Sequence, residues 1–149
     1  VTGPGARDPR WVDAILSWRG TWLVARIALT SSLILGGLTK LSDFSAAIAE
    51  QDHFGLHPGW LSAAVSILIE LGGSALVISG RWVWLGAGGL GVLTAVATFV
   101  ANDFWALQGH ARLMMMNTLF EHVGLIGGFL LAALLAQRSQ TDPTRPIHP

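Results

Sequence analysis

The chain has 149 residues, 52% hydrophobic and 12% charged, with nine basic and nine acidic side chains and a mean hydropathy of +0.54. Soluble domains carry about a quarter charged residues, so this chain has too little polar surface to cover its apolar segments in water. The balanced charge offers no global field for nucleic acid, and the lack of cysteine excludes disulfides, thiolate metal sites, CxxC redox chemistry and cysteine nucleophiles.

The first element is a flank. "DPRWVDAILSWRG" predicts a short helix lying on the membrane, with Asp8 as cap, Pro9 in its first turn, and Trp11, Ile15 and Trp18 on one face. Arg10 and Arg19 are available to headgroups; the plainer reading is a structured lead into the first span. Four apolar spans follow, each near the ~20 residues that cross a bilayer core. They run from Trp22 to Leu41, Trp60 to Gly80, Trp82 to Ala101 and Met114 to Ala136. Backbone groups in lipid must be satisfied internally, so uninterrupted spans of this length are helices. Gly80 and Arg81 alone separate the second and third spans, which makes them a tight antiparallel hairpin.

The expected fold is therefore all-α: an antiparallel bundle of four transmembrane helices over residues 22–136. An amphipathic flank precedes it over residues 1–21, and a flexible polar tail follows over 137–149. The seven tryptophans all fall near span ends or in flanks, as an aromatic belt requires. Arg7, Arg10, Arg19, Arg81, Arg138 and Arg145 lie on the side of the termini, against Lys40 and Arg112 opposite. That bias predicts cytoplasmic N and C termini. The first span is too long for the apolar region of a signal peptide.

Charges inside a bilayer are costly unless paired or hydrated, which singles out Arg26, Lys40, Glu70, Glu121 and His122. Counted from the outer boundary by helix rise, Lys40 lies near the surface and Glu121 about 5–10 Å down. Glu70 lies about 15 Å down and Arg26 about 22 Å. Two pairs follow from those depths, Lys40 with Glu121 and Arg26 with Glu70. Such pairs either fix helix register or line a ligand or proton site. Small residues mark the expected packing faces: Ala28, Ser32, Gly36 and Lys40; Ser66, Glu70, Gly73 and Ser74; Ala87, Gly91 and Ala95; Glu121, Gly124, Gly128 and Ala132.

Other chemistries are weaker. His53 and His57 are four apart, and with Asp52 and His110 on the same side they are candidate metal ligands. Gly55 and Pro58 interrupt the helix that this spacing needs, and headgroup-level histidines are the simpler reading. His122 is the one intramembrane histidine, where haem in a bundle commonly needs a pair. Met114, Met115 and Met116 point around a helix rather than at one copper site. "GAGGLG" lies inside a span with no strand before it, so it is no dinucleotide motif.

The order "ARIALTSSLILGGLTKLSDF", "ILIELGGSALVISG", "NDFWALQG" and "FEHVGLIGGFLLAAL" resembles the DoxX family of small bacterial and archaeal membrane proteins. The pattern falls on Arg26, Gly36 or Gly37, Lys40, Glu70, Gly72, Gly73, Gly127 and Gly128. The resemblance implies a four-helix protein of the bacterial inner membrane, with some members similar to subunits of quinone-linked oxidation or quinol oxidase assemblies. Glu121 and His122 depart from the lysine and asparagine often seen at those places. Three functional readings follow. In the first, the bundle binds a quinone or similar lipid-soluble carrier as a membrane subunit of a quinone-linked oxidoreductase. Glu70 or Glu121 then accepts a proton or hydrogen bond, Arg26, Lys40 and the outer histidines tune the site, and a partner protein supplies the electrons. In the second, the chain is a non-catalytic structural or assembly subunit of a larger membrane complex. The third is a transporter, against which no inverted repeat is evident.

Overall fold

A computed structural model describes residues 9–141, and every regular element among them is helical. Helix α1 (Arg10–Ser17) is followed by α2 (Arg19–Ser42), α3 (Phe44–His53), α4 (Gly59–Ser79), α5 (Val83–Ala101) and α6 (Gly109–Thr141). Helices α2, α4, α5 and α6 are each long and apolar enough to cross a membrane. The four-helix architecture agrees with the hydropathy. Its last helix does not stop where the apolar run stops: α6 begins before Met114 and continues past Ala136. A helix satisfies its own backbone whether lipid or water surrounds it, so hydropathy marks the span and not the helix end.

Helix α1 buries no residue, and Trp11, Ile15 and Leu16 are all largely exposed. That apolar, unpacked surface suits a helix resting on the bilayer. Pro9 takes the cap position with no side-chain hydrogen bond; Asp8, the expected cap, lies outside the described residues, as does the tail from residue 142.

The core draws on all four long helices. Val77 of α4, Ala87 and Leu90 of α5 and Phe129 of α6 are fully enclosed, with Leu29 and Leu33 of α2 packed against them. Without a hydrophobic drive between helices in lipid, close backbone approach must supply the attraction. The α4–α5 contact does so at paired glycines. A Cβ on Gly86 would stand 2.6 Å from the Gly73 carbonyl oxygen, and one on Gly73 only 2.9 Å from Leu90 Cγ. Buried hydroxyls stay satisfied by reaching back one turn, as Thr30 does to the Arg26 carbonyl (2.9 Å) and Thr94 to that of Leu90 (2.8 Å).

The expected packing faces divide. On α4, Ser66, Glu70, Gly73 and Ser74 are all buried, as their spacing implies. On α2, Ala28 and Ser32 are exposed, and Thr30 and Gly37 are buried instead. On α6, Glu121 and Gly124 are exposed while Gly128 meets Leu29. Small residues permit close packing but do not compel it, so rotation follows which neighbour is present.

Candidate functional site

Two polar places lie within the bundle. The first is at the middle of α4, where Leu68–Gly72 forms a π-helical turn. Ser74 donates its hydroxyl to the Glu70 carbonyl there, and π-turns of this kind recur at functional sites. Glu70 is buried, and its Oε1 accepts from Lys40 Nζ at 2.7 Å. The two side chains are 8% and 19% exposed, so the pair is largely removed from solvent. Glu70 Oε2 is buried with no hydrogen-bond partner among the described residues. Gly36 and Gly37 make the approach possible: Cβ atoms there would stand 3.5 Å from Oε1 and 2.8 Å from Leu71 Cδ2, respectively.

This pairing corrects both expected ones. Arg26 does not meet Glu70, and Lys40 does not meet Glu121. The depth count assumed that α2 and α4 share one outer boundary, and they do not. Gly37 is level with Glu70, yet it lies five positions before the end of α2, about 8 Å, while Glu70 lies eleven after the start of α4, about 16 Å. Helix α4 thus projects beyond α2, and α3 packs along the projecting turn. Asp52 and the Ile48 carbonyl would lie within 2.7 Å of a Cβ on Gly59, and Asp52 Oδ1 accepts from the Gly59 N–H at 3.0 Å.

Side-chain direction completes the explanation. Helical side chains lean toward their own N-terminus. On antiparallel α2 and α4, Lys40 and Glu70 therefore lean toward each other, and Arg26 leans away from Glu70. Arg26 reaches the α4–α5 turn, where a Cβ on Gly80 would stand 2.7 Å from its Nη1, and its guanidinium lies 5.8 Å from the Trp22 ring centroid. Glu121 is exposed on α6 and makes no hydrogen bond or ion pair among the described residues.

The second place is between α5 and α6, toward the end of the bundle opposite the termini. A cavity of about 330 Å³ is walled by Phe99, Phe104, Trp105 and Ile126, with Thr98, Asn102 and His122 as its polar groups. Asn102 caps the end of α5, is 5% exposed, and donates Nδ2–H to the Met115 carbonyl at 2.9 Å. Its Oδ1 is buried without a partner among the described residues. His122 Nδ1 lies 2.6 Å from Thr98 Oγ1. Of the residues singled out by charge, only His122 reaches this cavity. Asn102, Thr98 and Trp105 are uncharged and were not candidates, although Asn102 and Trp105 stand in the "NDFW" stretch that carries the family resemblance.

The other histidines do not converge. His57 Nδ1 bonds Asp52 Oδ1 at 2.8 Å, His53 meets the Phe54 ring edge-on, and His110 is exposed in the first turn of α6. No group of three or more His, Asp or Glu among the described residues is placed to hold a metal ion. Met115 contributes its carbonyl to Asn102, a backbone role.

The inner membrane protein YphA of Escherichia coli (strain K12) is 24% identical over 112 residues, 75% of this chain and 80% of that protein. No solved structure matches the chain. The family model described as DoxX matches residues 21–103, which takes in α2 to α5, the Lys40–Glu70 pair and Asn102, and leaves out His122. With four helices of membrane-spanning length and a match over more than half its residues, this multi-pass membrane protein belongs to the DoxX family.

Proposed function

We propose that the chain is a membrane subunit of a quinone-linked redox system in the bacterial inner membrane, and that it holds the lipid-soluble carrier in the α5–α6 cavity. The observation that carries this reading is an aromatic-walled space of about 330 Å³ beside Phe99, Phe104 and Trp105, with the polar side chains of Thr98, Asn102 and His122 on its lining. Ligand pockets of about 300–1,000 Å³, mostly apolar with a few placed polar groups, are the usual form of small-molecule sites. The residues present fit a quinone: aromatic rings to stack on its ring, and an N–H donor on the lining, the Trp105 indole, to meet an oxygen. When bound, the quinone would supply the electron chemistry. The chain itself binds and orients it and excludes water, and a partner oxidoreductase provides the electrons.

In this reading the Lys40–Glu70 pair is a scaffold that holds α2 against α4. Native mass spectrometry of gently solubilised protein, without added lipid, tests it. A bound mass matching a quinone is expected, lost in His122→Ala and kept in Glu70→Gln. No bound quinone, or one kept in His122→Ala, overturns the cavity as the carrier site.

A second reading, a structural or assembly subunit, draws on one observation. Glu121 is an exposed, unpaired carboxylate inside a span, beside Gly124, whose surroundings are open to 4 Å. A cationic partner helix would remove that cost. Co-purification of a polypeptide that is lost in Glu121→Leu supports it; an isolated chain of unchanged composition in both proteins counts against it. Cytoplasmic termini, proposed from the arginine bias, are tested by labelling single cysteines introduced at either end in intact cells.

A further inference from the structure

We infer that Arg26, held between Trp22 and the α4–α5 turn, binds the phosphate of an anionic phospholipid at the end of the bundle that carries the termini. This place is separate from the α5–α6 cavity, and the inference does not depend on the carrier reading.

Arg26 lies six residues into the span that begins at Gly20, about 9 Å along the helix. A guanidinium stays charged in any surroundings, and this one makes no hydrogen bond or ion pair among the described residues. Its side chain leans toward the start of α2, which delivers the charged head to the turn after Ser79, at the boundary where lipid phosphates lie. There the head is held on two sides. A Cβ on Gly80 would stand 2.7, 3.4 and 3.5 Å from Nη1, Cζ and Nη2, so the guanidinium lies across a residue with no side chain. The Trp22 ring centroid is 5.8 Å from Cζ. A planar fork of N–H donors fixed in this way meets phosphate oxygens at less entropic cost than a free side chain would.

The surroundings select the kind of phosphate. Leu23, three residues before Arg26, and Ile27, next to it, are exposed apolar surface for acyl chains, which a free phosphate ion does not use. Arg10 and Arg81, both exposed, add positive potential at this end. The described carboxylates are mostly elsewhere. Asp43, Glu50, Asp52 and Asp103 lie at the opposite end, Glu70 is paired with Lys40, and Glu121 stands in the half of α6 away from the termini. Asp13 of α1 is the exception, and it makes no ion pair with Arg26. A zwitterionic lipid therefore finds no carboxylate bonded beside the guanidinium to receive its ammonium, and a phosphate without its own counter-charge gains most.

The test titrates the full chain in nonionic detergent with dioleoyl phosphatidylglycerol and dioleoyl phosphatidylcholine, and reads the first bound lipid by native mass spectrometry. Phosphatidylglycerol is expected to bind roughly tenfold more tightly, from about one additional charge-assisted hydrogen bond. Arg26→Gln should bring the ratio toward one, whereas Arg10→Gln, which removes charge from the same end, should lower it less. Arg26→Lys keeps the charge without the planar fork and should keep only part of the preference; it decides the matter where Arg26→Gln folds poorly. Millimolar inorganic phosphate should not displace the lipid, and displacement would overturn the lipid as ligand and assign the fork to the free ion. Equal binding of the two lipids, a ratio unchanged in folded Arg26→Gln or in Arg26→Lys, or a loss as large in Arg10→Gln overturns the inference.

Discussion

The two polar places in this bundle differ in charge, although each holds one buried acceptor without a partner among the described residues, Glu70 Oε2 and Asn102 Oδ1. At the α2–α4 contact, opposite charges meet at 2.7 Å and glycines draw the helices together, so the polar demand is met largely inside the protein. At the end of α5 and α6 opposite the termini no charge is buried among the described residues, and the amide of Asn102 lines an aromatic cavity. The place that charge makes conspicuous is closed by its own ion pair, and the uncharged one adjoins an aromatic-walled cavity. A buried charge must be neutralised locally for the fold to exist, whereas a neutral amide needs only hydrogen-bond partners.

If the first place is scaffold, breaking it should cost stability before anything else. Lys40→Met leaves Glu70 buried without its cation, and the expected loss is about 3–5 kcal/mol, the usual cost of orphaning a buried charge. Thermal unfolding in detergent should show the drop, and adding Glu70→Gln to the same chain should recover much of it. A Lys40→Met protein as stable as the parent would mean that water or lipid, not Lys40, neutralises Glu70.

Next comes Gly86→Ala, whose new Cβ would lie 2.6 Å from a backbone oxygen that has no rotamer to give. An overpacking cost of about 1–3 kcal/mol is expected in the same assay. The neighbouring pair Gly36 and Gly37 offers a finer contrast. Gly37→Ala presses on Leu71, whereas Gly36→Ala makes ordinary contact with the Glu70 carboxylate, so Gly37→Ala should lower the midpoint more.

Arg26→Gln sharpens the comparison from the other side. Because Arg26 lies at the α4–α5 turn over Trp22, its loss should leave the Lys40–Glu70 pair intact. The double variant Arg26→Gln/Glu70→Gln should then show additive losses within about 0.5 kcal/mol; clear non-additivity would restore a direct coupling.

The smallest effect is expected at Asp43, which caps α3. The Ala46 backbone N–H, and after it the Ser45 hydroxyl, hold its carboxyl below the ordinary aspartate value. A depressed folded-state value contributes stability that is present above the unfolded value and lost as pH falls through the folded one. The difference in midpoint between the parent and Asp43→Ala should therefore shrink toward acid pH, from a value that is already slight at this exposed site.

Much of the fold was legible from hydropathy. The four spans, the hairpin at Gly80 and the buried face of α4 at Ser66, Glu70, Gly73 and Ser74 all follow from apolar length and local spacing, and lipid leaves helices as the only answer. The Lys40–Glu70 pair was not legible, although both residues were singled out. Pairing depends on relative helix height, and α3 shifts that height by folding Ile48 and Asp52 against the first turn of α4. The cavity was hidden for a different reason: Asn102, Thr98 and Trp105 carry no charge, and only packing reveals that one amide oxygen lacks a partner.

The sequence by itself thus determined which residues lie in the membrane, because transfer of a segment into lipid is a sum over its own side chains. Which charge meets which, and which polar atom is left open, was decided only by the tertiary structure. Those depend on the height and rotation of one helix against another, and in a bundle of small residues many rotations pack almost equally well.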